Sequence, residues 1–560
     1  MPDIAGHYDV AILGGGITGL TLALQLKRTD PGLEVTVIER KQHPVPEAAH
    51  KVGESSVEVQ AHYLRDVLGL EEHLTHDQLH KFGLRMFFSH GDNTDIARRV
   101  EYGQVEAAPL PSYQLDRGRL ENHLGELIAE HGVTFAHGKV LGAELAEDGS
   151  DHVVEVQDDD GVRRIAARWV VDATGRAGLL KRKLDLAKPV GHRANSVWFR
   201  IAHPVDVQAW SADEAWQERV CDGQRRLSTN HLMGPGYWVW LIPLASGSTS
   251  VGIVAEDSAH SFQDFNKLER ALEWLDAHEP QVAAEVRRNS DKIQDFRVMK
   301  DYAYSCQQVY SENRWCLTGE AGVSIDPLYS SGGDLMAISN GLITDLVVRD
   351  RRGEEIEDIA AAHNQVYLVL SDIWLVAYEN QYPLMGNPKV MVAKVIWDTI
   401  IYWAVPGLLF FHDKLRRLGE SPRAFGNLQR TWELHTRVQQ FLREWHAVDC
   451  EPASDTFADP YSLLDWIVDL HNGMAAGLPD EELEDQFTKN VILLEQLAGQ
   501  LVTTVIDQLS ARGVAQEQIE KWRSDELLQE VVERFREYDP INPIDSAWIT
   551  LGSEPAAVAS

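Results

Sequence analysis

Tyr8-Asp-Val-Ala-Ile-Leu-Gly-Gly-Gly-Ile-Thr-Gly19 decides the fold. Tyr8 to Leu13 is a short apolar β run, and Gly14, Gly16 and Gly19 follow it at once. A helical stretch then continues to about Arg28. Gly14 and Gly16 permit a tight turn and close approach of backbone to a pyrophosphate, and Gly19 allows helix–strand packing. The N–H groups at the helix start, around Ile17 and Thr18, favour an anion. The next strand, Leu33 to Ile38, ends in Glu39 and Arg40 about 20 residues after the turn, where a carboxylate accepts from ribose hydroxyls. A GxGxxG turn in this context reads as a dinucleotide-binding βαβ unit.

The chain has 560 residues, enough for two or more domains around a large core. Hydrophobic content of 44% and charged content of 25% are those of a globular protein. A net charge of −34 argues against a nucleic-acid partner, because phosphate binding needs clustered Lys and Arg. Cys221, Cys306, Cys316 and Cys450 form no CxxC pair and have no metal-ligand spacing, and the 22 histidines form no metal cluster. With no secretory signal visible, a reducing cytoplasm is the expected compartment. The most apolar stretch, Thr399 to Phe411, contains Pro406 and is too short to span a bilayer, so a buried helix or substrate wall is expected there.

Gly132 to Val171 reads as β segments divided by the turns Asp148-Gly149 and Asp160-Gly161. Val190 to Val254 is again β-rich. From about Glu354 to Tyr538 the period is helical. Leu428, Trp432, Val438, Leu442 and Trp445 are expected on one face, as are Phe487, Val491, Leu494, Ala498, Leu501 and Val505, a run closed by Gly513. These patterns predict a core over 1–350 with a β-sheet insert from about 85–115 and 190–300, a helical region over 351–545, and a flexible tail over 546–560.

Further motifs lie between. Gly236-Tyr-Trp-Val-Trp-Leu-Ile-Pro-Leu244 sets Trp238 and Trp240 on one side of a strand, and Pro243 closes it. Val52-Gly-Glu-Ser55, His80-Lys-Phe-Gly83, Tyr113-Gln-Leu-Asp-Arg117, Ala173-Thr-Gly175, Leu317-Thr-Gly-Glu320 and Asp326-Pro-Leu-Tyr-Ser-Ser-Gly-Gly333 complete the set. In this order they resemble the flavin-dependent halogenases over about residues 8 to 348. The resemblance implies an α/β (α+β) FAD-binding fold of the aromatic-hydroxylase and glutathione-reductase type, with a mostly helical C-terminal region.

The same resemblance assigns roles. Gly53, Glu54 and Ser55 strap the isoalloxazine; Arg117 lies near it; Ala173, Thr174 and Gly175, then Gly319, Glu320 and Asp326, complete the FAD contacts. Lys81 is the catalytic lysine, with Lys51 as a competitor. Ser331 and Gly332 offer amides to chloride or bromide, and Trp238, Trp240, Pro243, Tyr329 and Ser330 wall the channel and substrate. In such an enzyme reduced flavin, O₂ and halide give hypohalous acid. Lys81 either holds it as an ammonium or is itself halogenated as an amine, and both routes stand open. Tyr329 replaces the glutamate of tryptophan halogenases, which points to phenols or pyrroles. Asp334, beside the halide site, is expected to repel an anion or else to stabilise its own helix dipole, and Gly333 adds local freedom. His231 is a candidate pocket residue.

The expected activity is therefore FAD-dependent halogenation of an electron-rich aromatic in natural-product biosynthesis, with a separate NAD(P)H-dependent flavin reductase. No membrane span is expected. Carrier tethering of the substrate and a homodimer are left open. The alternatives are a halide-independent flavin monooxygenase or dehydrogenase, marked by Asp334, and a non-catalytic flavin-binding partner.

Overall fold

Strand Ile4–Leu13 pairs in parallel with Val35–Glu39 on one side and Gly161–Asp172 on the other, with Val10 facing Val35 and Trp169. Val10 to Leu13 have no exposed surface, as a parallel strand covered on both faces requires. The computed structural model describes residues 4–47, 51–451, 453–464, 466–537 and 546–551. Thr134–His137 continues the sheet beyond Val35–Glu39. Gly161–Asp172 is long enough to serve two partners. Its first half pairs antiparallel with His152–Asp158 in a meander, and its last three residues pair in parallel with Trp315–Leu317. Three parallel strands thus end side by side, releasing Gly14, Ala173 and Thr318 at one edge of the sheet. Ala173 N–H donates to the Leu13 carbonyl at 2.9 Å and Thr318 N–H to that of Asp172 at 3.0 Å.

A second sheet of eight strands stands over that edge, in the order Arg297–Met299, Ala194–Ile201, Thr249–Glu256, Tyr237–Pro243, Thr229–Gly234, Leu84–Phe88, Val100–Tyr102, Phe457–Ala458. Tyr237–Pro243 is therefore an interior strand, and Pro243 sits at its last position opposite Thr249, where a missing N–H is tolerated. The last strand comes from the helical region, which so contributes an edge to this sheet as well as a cap.

Gly332–Arg351 is buried along most of its length, and Glu357–Val376 and Leu415–Glu420 of the helical region pack against it. In Asp480–Arg512 the stripe Phe487 to Val505 is buried, and Gly513 ends the helix in the left-handed conformation at φ 67°. In Pro422–Val448 the residues Leu428, Val438, Leu442 and Trp445 are buried, but Trp432 is 40% exposed. At 100° per residue Trp432 falls roughly 100° from the centre of that stripe, so it turns to the surface. The apolar stretch at 399–411 belongs to a longer helical run, Pro388–Phe411, which meets the length and composition of a membrane span but is 89% buried within the fold. A second helix of that kind, Glu357–Val376, is 50% buried. The segment expected to begin a flexible tail instead forms a turn of helix, Ala547–Thr550, with Trp548 fully buried and its indole N–H on Gln500. Residues 552–560 of that tail lie outside the described residues.

Candidate active site

A cleft of about 680 Å³ opens where the parallel strands end. Gly14, Gly16, Ile17 and Thr18 line it from the first turn, Glu39 and Arg40 from the next strand, then Ala173, Thr174, Gly175, Gly319 and Glu320. Gly14 lies at φ +117°, and a Cβ there would overlap the Ala173 carbonyl, so this turn accepts no side chain. Gly19 lies off the cleft, packed on the Gly14 carbonyl. Helix Ile17–Thr29 starts with no side-chain cap, which leaves its first amides to an anion. Glu39 accepts from Gly15 N–H at 2.8 Å and from Lys41 N–H at 2.9 Å. Burial pushes the Glu320 carboxyl upward, opposed by Arg176, Arg117 and Lys181.

Gly53, Glu54 and Ser55 line the same cleft. Arg117 donates to the carbonyls of Val52 at 2.6 Å and Gly53 at 3.3 Å, and to Glu121 at 2.7 Å, so it fixes the strap. Burial lowers its guanidinium to about 10, against the pull of Glu54 and Glu320. Glu54, expected to meet the ring system, is committed through Oε1 to the buried Arg200 at 2.7 Å. Lys51 also faces this cleft and pairs with Glu121, whereas Lys81 lines the inner cavity. Burial, with Arg117 and Lys41 nearby, lowers the Lys51 ammonium to about 7.

Trp238 and Trp240 form one wall of the cleft, their rings 5.6 Å apart. Trp240 lies flat over Gly252, where any Cβ would overlap the indole. His231 meets Trp238 edge-on at 5.0 Å, and burial, with Lys81 nearby, lowers its imidazole to about 3. The Trp238 N–H donates to the Tyr382 hydroxyl at 2.9 Å. Tyr382 in turn donates to Asp326 Oδ2 at 2.5 Å, where Tyr302 also donates at 2.6 Å and His192 Nε2 stands at 2.8 Å. Leu328 N–H takes the other oxygen at 3.0 Å. Burial opposes the Asp326 charge, but His192, Tyr302 and Tyr382 outweigh it and hold the carboxyl below the ordinary range. Pro243 lines neither this cleft nor the cavity described next.

That second, inner cavity, of about 110 Å³, lies behind the strap. Its walls are largely aromatic (Tyr102, Trp374, Tyr402, Trp403 and Tyr461), and its polar groups include Glu58, Lys81, Asp334 and Tyr329. Trp403 and Pro406 reach it from a π-helical turn, Trp403–Gly407, a local irregularity often found at functional sites. Tyr329 faces this cavity and donates to Asp398 at 2.8 Å, whereas Ser330 and Gly332 face the flavin-sized cleft. Ser330, at φ 59°, occupies the left-handed region rare for residues other than glycine, and it turns the chain into helix Gly332–Arg351, whose start carries no side-chain cap. Ser331 lines neither space with its side chain, which meets the Tyr378 hydroxyl at 3.0 Å.

The two spaces meet along a narrow boundary. Ser55 and Gly333 line the cleft, Val57 and Asp334 the inner cavity. Gly333 is needed for close packing more than for freedom, since a Cβ there would overlap the Gln60 side chain. Asp334 accepts from Gln60 N–H at 2.9 Å, capping the neighbouring helix Glu58–His62, and its side chain turns away from the Gly332 side. Burial raises its carboxyl well above the ordinary range, opposed by the Gln60 N–H, Tyr402 and Lys81. Asp334 lines the inner cavity, whereas Gly332 lines the cleft. Lys81 bridges the boundary, its ammonium donating to Ser55 Oγ at 3.0 Å and the Ser56 carbonyl at 2.9 Å. Burial lowers it to about 8, opposed by Glu58 and Asp334. Sequence reasoning missed His192, Tyr302, Tyr382, Gln60 and Tyr402. Each sits far along the chain from the group it serves, and none stands in a spaced motif.

A family model described as an FAD binding domain matches residues 7–332, more than half of the chain. The chain belongs to this FAD-binding family. Among relatives of this flavoprotein, the flavin-dependent halogenase chlA of Dictyostelium discoideum is 24% identical over 432 residues, 72% of this chain and 70% of the relative. A 1H-pyrrole-2-carbonyl peptidyl-carrier-protein chlorinase of Pseudomonas fluorescens is 25% identical over 345 residues, 58% of this chain and 72% of the relative. The crystal structure of halogenase PltM shares the fold at a TM-score of 0.59 and 17% identity, covering 87% of this chain and 96% of that one. A flavoprotein/dehydrogenase of Cytophaga hutchinsonii does so at 0.55 and 19%, covering 78% and 99%. The flavoprotein is a halogenase-like, FAD-dependent oxidoreductase. The uncapped helix start, the side-chain-free turn at Gly14 and the size of the cleft all fit FAD.

The Asp326 cluster predicts a pH dependence. A carboxyl held below its unfolded value stabilises the fold fully above the ordinary carboxylate range and loses that contribution as pH falls through the depressed value. Tyr382→Phe removes one donor to Asp326 and the acceptor of the Trp238 indole. It should cost about 1.5–3 kcal/mol at neutral pH and move acid unfolding, followed by tryptophan fluorescence, to higher pH.

Proposed function

We propose that this flavoprotein halogenates an electron-rich aromatic of the phenol or pyrrole type with chloride or bromide, in natural-product biosynthesis. When bound, the reduced cofactor supplies hypohalous acid from O₂ and halide. The observation that carries the reading is Lys81, whose ammonium touches the strap at Ser55 while facing the inner cavity. It stands between the strap that lines the cleft and the inner cavity, as a buried donor to an oxidant leaving the cleft. As an ammonium it hydrogen-bonds hypohalous acid; with its proton affinity lowered to about 8, a neutral amine is also accessible near neutral pH.

Gly14, Gly16, Ile17 and Thr18 hold pyrophosphate, Glu39 turns from its own loop to the ribose, and Arg117 fixes the strap against the ring system. The amides of Ser331 and Gly332, at an uncapped helix start, hold the halide. Trp238 and Trp240 close the cleft on the far side and keep the ring system apart from bulk. The aromatic inner cavity accepts a flat substrate, with Tyr329 and Asp398 at one end. Reducing equivalents come from a separate flavin reductase. Relatives whose names specify a pyrrole on a peptidyl-carrier protein support testing tethered substrates alongside free ones.

Supplied with FAD, NADH, a flavin reductase and bromide, the enzyme should give products with the bromine isotope pattern from a panel of phenols and pyrroles. Lys81→Ala should lower product by more than about 10²-fold while FAD binding is retained. Oxygenated or dehydrogenated products alone, at every halide concentration, would instead favour a monooxygenase or dehydrogenase. Asp334→Asn, which keeps the acceptor for Gln60, should leave the bromide KM within about threefold, because burial disfavours the charged carboxylate and the side chain lines the other chamber. A large fall in that KM would show that Asp334 repels the halide after all.

A further inference from the structure

The inner cavity holds a carboxylate that the proposed reaction has not used. Glu58 lines the cavity and also lines a surface recess formed with His62, Arg65, Asp66, Leu110 and Phe411. Its side chain is 12% exposed, so it spans the wall between buried substrate space and solvent. His471, fully buried on helix Ile467–Gly473, places Nε2 3.2 Å from Glu58 Oε1, and its Nδ1 meets the Tyr461 hydroxyl at 2.8 Å. Trp403 stacks on the His471 ring at 4.0 Å, which fixes its plane. Two of the cavity's carboxyls are shifted in opposite directions. Burial raises Asp334, whereas for Glu58 the His471 hydrogen bond and the His471 and Lys81 charges outweigh burial and hold it below the ordinary range.

Resting on the halogenase reading above, we propose that Glu58 is the base of the inner cavity, taking the ring-hydroxyl proton of a phenolic substrate, and that the site therefore selects phenols over aromatics without an acidic hydroxyl. The O–H bond of the phenol breaks and its proton goes to the Glu58 carboxylate. The phenolate ring carbon takes the halogen of hypohalous acid as the halogen–oxygen bond breaks, and the hydroxide released takes a proton from Lys81 and leaves as water. The ring carbon then loses its hydrogen as a proton, which restores Lys81, and the halophenol leaves with the proton held on Glu58. The groups facing Glu58 are Lys81, Asp334 and Tyr402 from the cavity, His471 and Tyr461 from the C-terminal region, and His62, Arg65 and Asp66 on the surface side.

The test uses the FAD-loaded enzyme with a flavin reductase, NADH and bromide. For Glu58→Gln, turnover of an ordinary phenol should fall about 10²-fold, while a phenol already ionised at the assay pH, such as a nitrophenol, should be turned over within about threefold of the wild-type rate. Glu58→Asp should recover part of the loss. His471→Asn should move the acid limb of the phenol pH–rate profile upward, because Glu58 loses the His471 interaction that lowers its carboxyl. Equal losses on the ionised and un-ionised phenols, or no loss on either, would overturn the base while leaving the halogenase reading intact. Wild-type enzyme that brominates pyrroles but no phenol would overturn the phenol selection and the base with it. Enzyme that brominates nothing would remove the reading on which both rest.

Discussion

One hydrogen bond, from the Gln60 amide to Asp334, fixes the line between the two chambers. It ties the first turn of helix Glu58–His62 to the first turn of Gly332–Arg351, and Gly333 lets the Gln60 side chain pass between them. The strap Gly53–Ser55 runs straight into the first of these helices, so its position over the cleft depends on that joint. Lys81 then bonds to Ser55 and Ser56 and closes the remaining gap. Burial raises the Asp334 carboxyl at this junction. An ionised carboxylate with no exposed surface would be far more costly to hold there than a protonated one.

The helical region completes the site as well as covering it. Tyr382 carries a hydrogen bond from Trp238 to Asp326, and so couples the indole wall to the segment that leads to Ser331 and Gly332. Tyr402 accepts from Val59 N–H at 2.9 Å beside Asp334, and His471 sits against Glu58. The strand Phe457–Ala458 joins the sheet that bears Trp238 and Trp240. Each of these is a buried polar or backbone contact, for which leaving a group unpaired costs about 1–3 kcal/mol, so the cap and the core are expected to unfold together.

Much of the fold was legible in the chain because its signals are local. The strand, glycines and helix of residues 8–28 stand in sequence order, as do the meander turns and the stripe from Phe487 to Val505. Gly14, Glu39, Ala173 and Gly319 were legible for the same reason, since each stands at or just past a strand end. The role of Asp334 was not. A residue at the start of a helix is read as serving that helix, but its carboxyl caps the next one, which lies 274 residues earlier in the chain. The wall was legible and its reach was not. Trp238 and Trp240 do share a face, yet they look only into the cleft, and the inner cavity is bounded by Val57, Glu58 and Lys81. Trp432 and the segment at 547–550 failed in simpler ways: one lay off the phase of its helix, and the other, read together with the small and polar residues after it, carries the buried Trp548 and Ile549.

The central claim is that the oxidant is made in one chamber and used in the other, with Lys81 between them. The most direct measurement is bromide anomalous scattering from crystals of the enzyme bound to FAD. The account predicts a bromide peak on the cleft side, against the backbone amides of Ser331 and Gly332, and none beside Asp334 in the inner cavity. A peak beside Lys81 and Asp334, or no peak at bromide concentrations that support turnover, would contradict it.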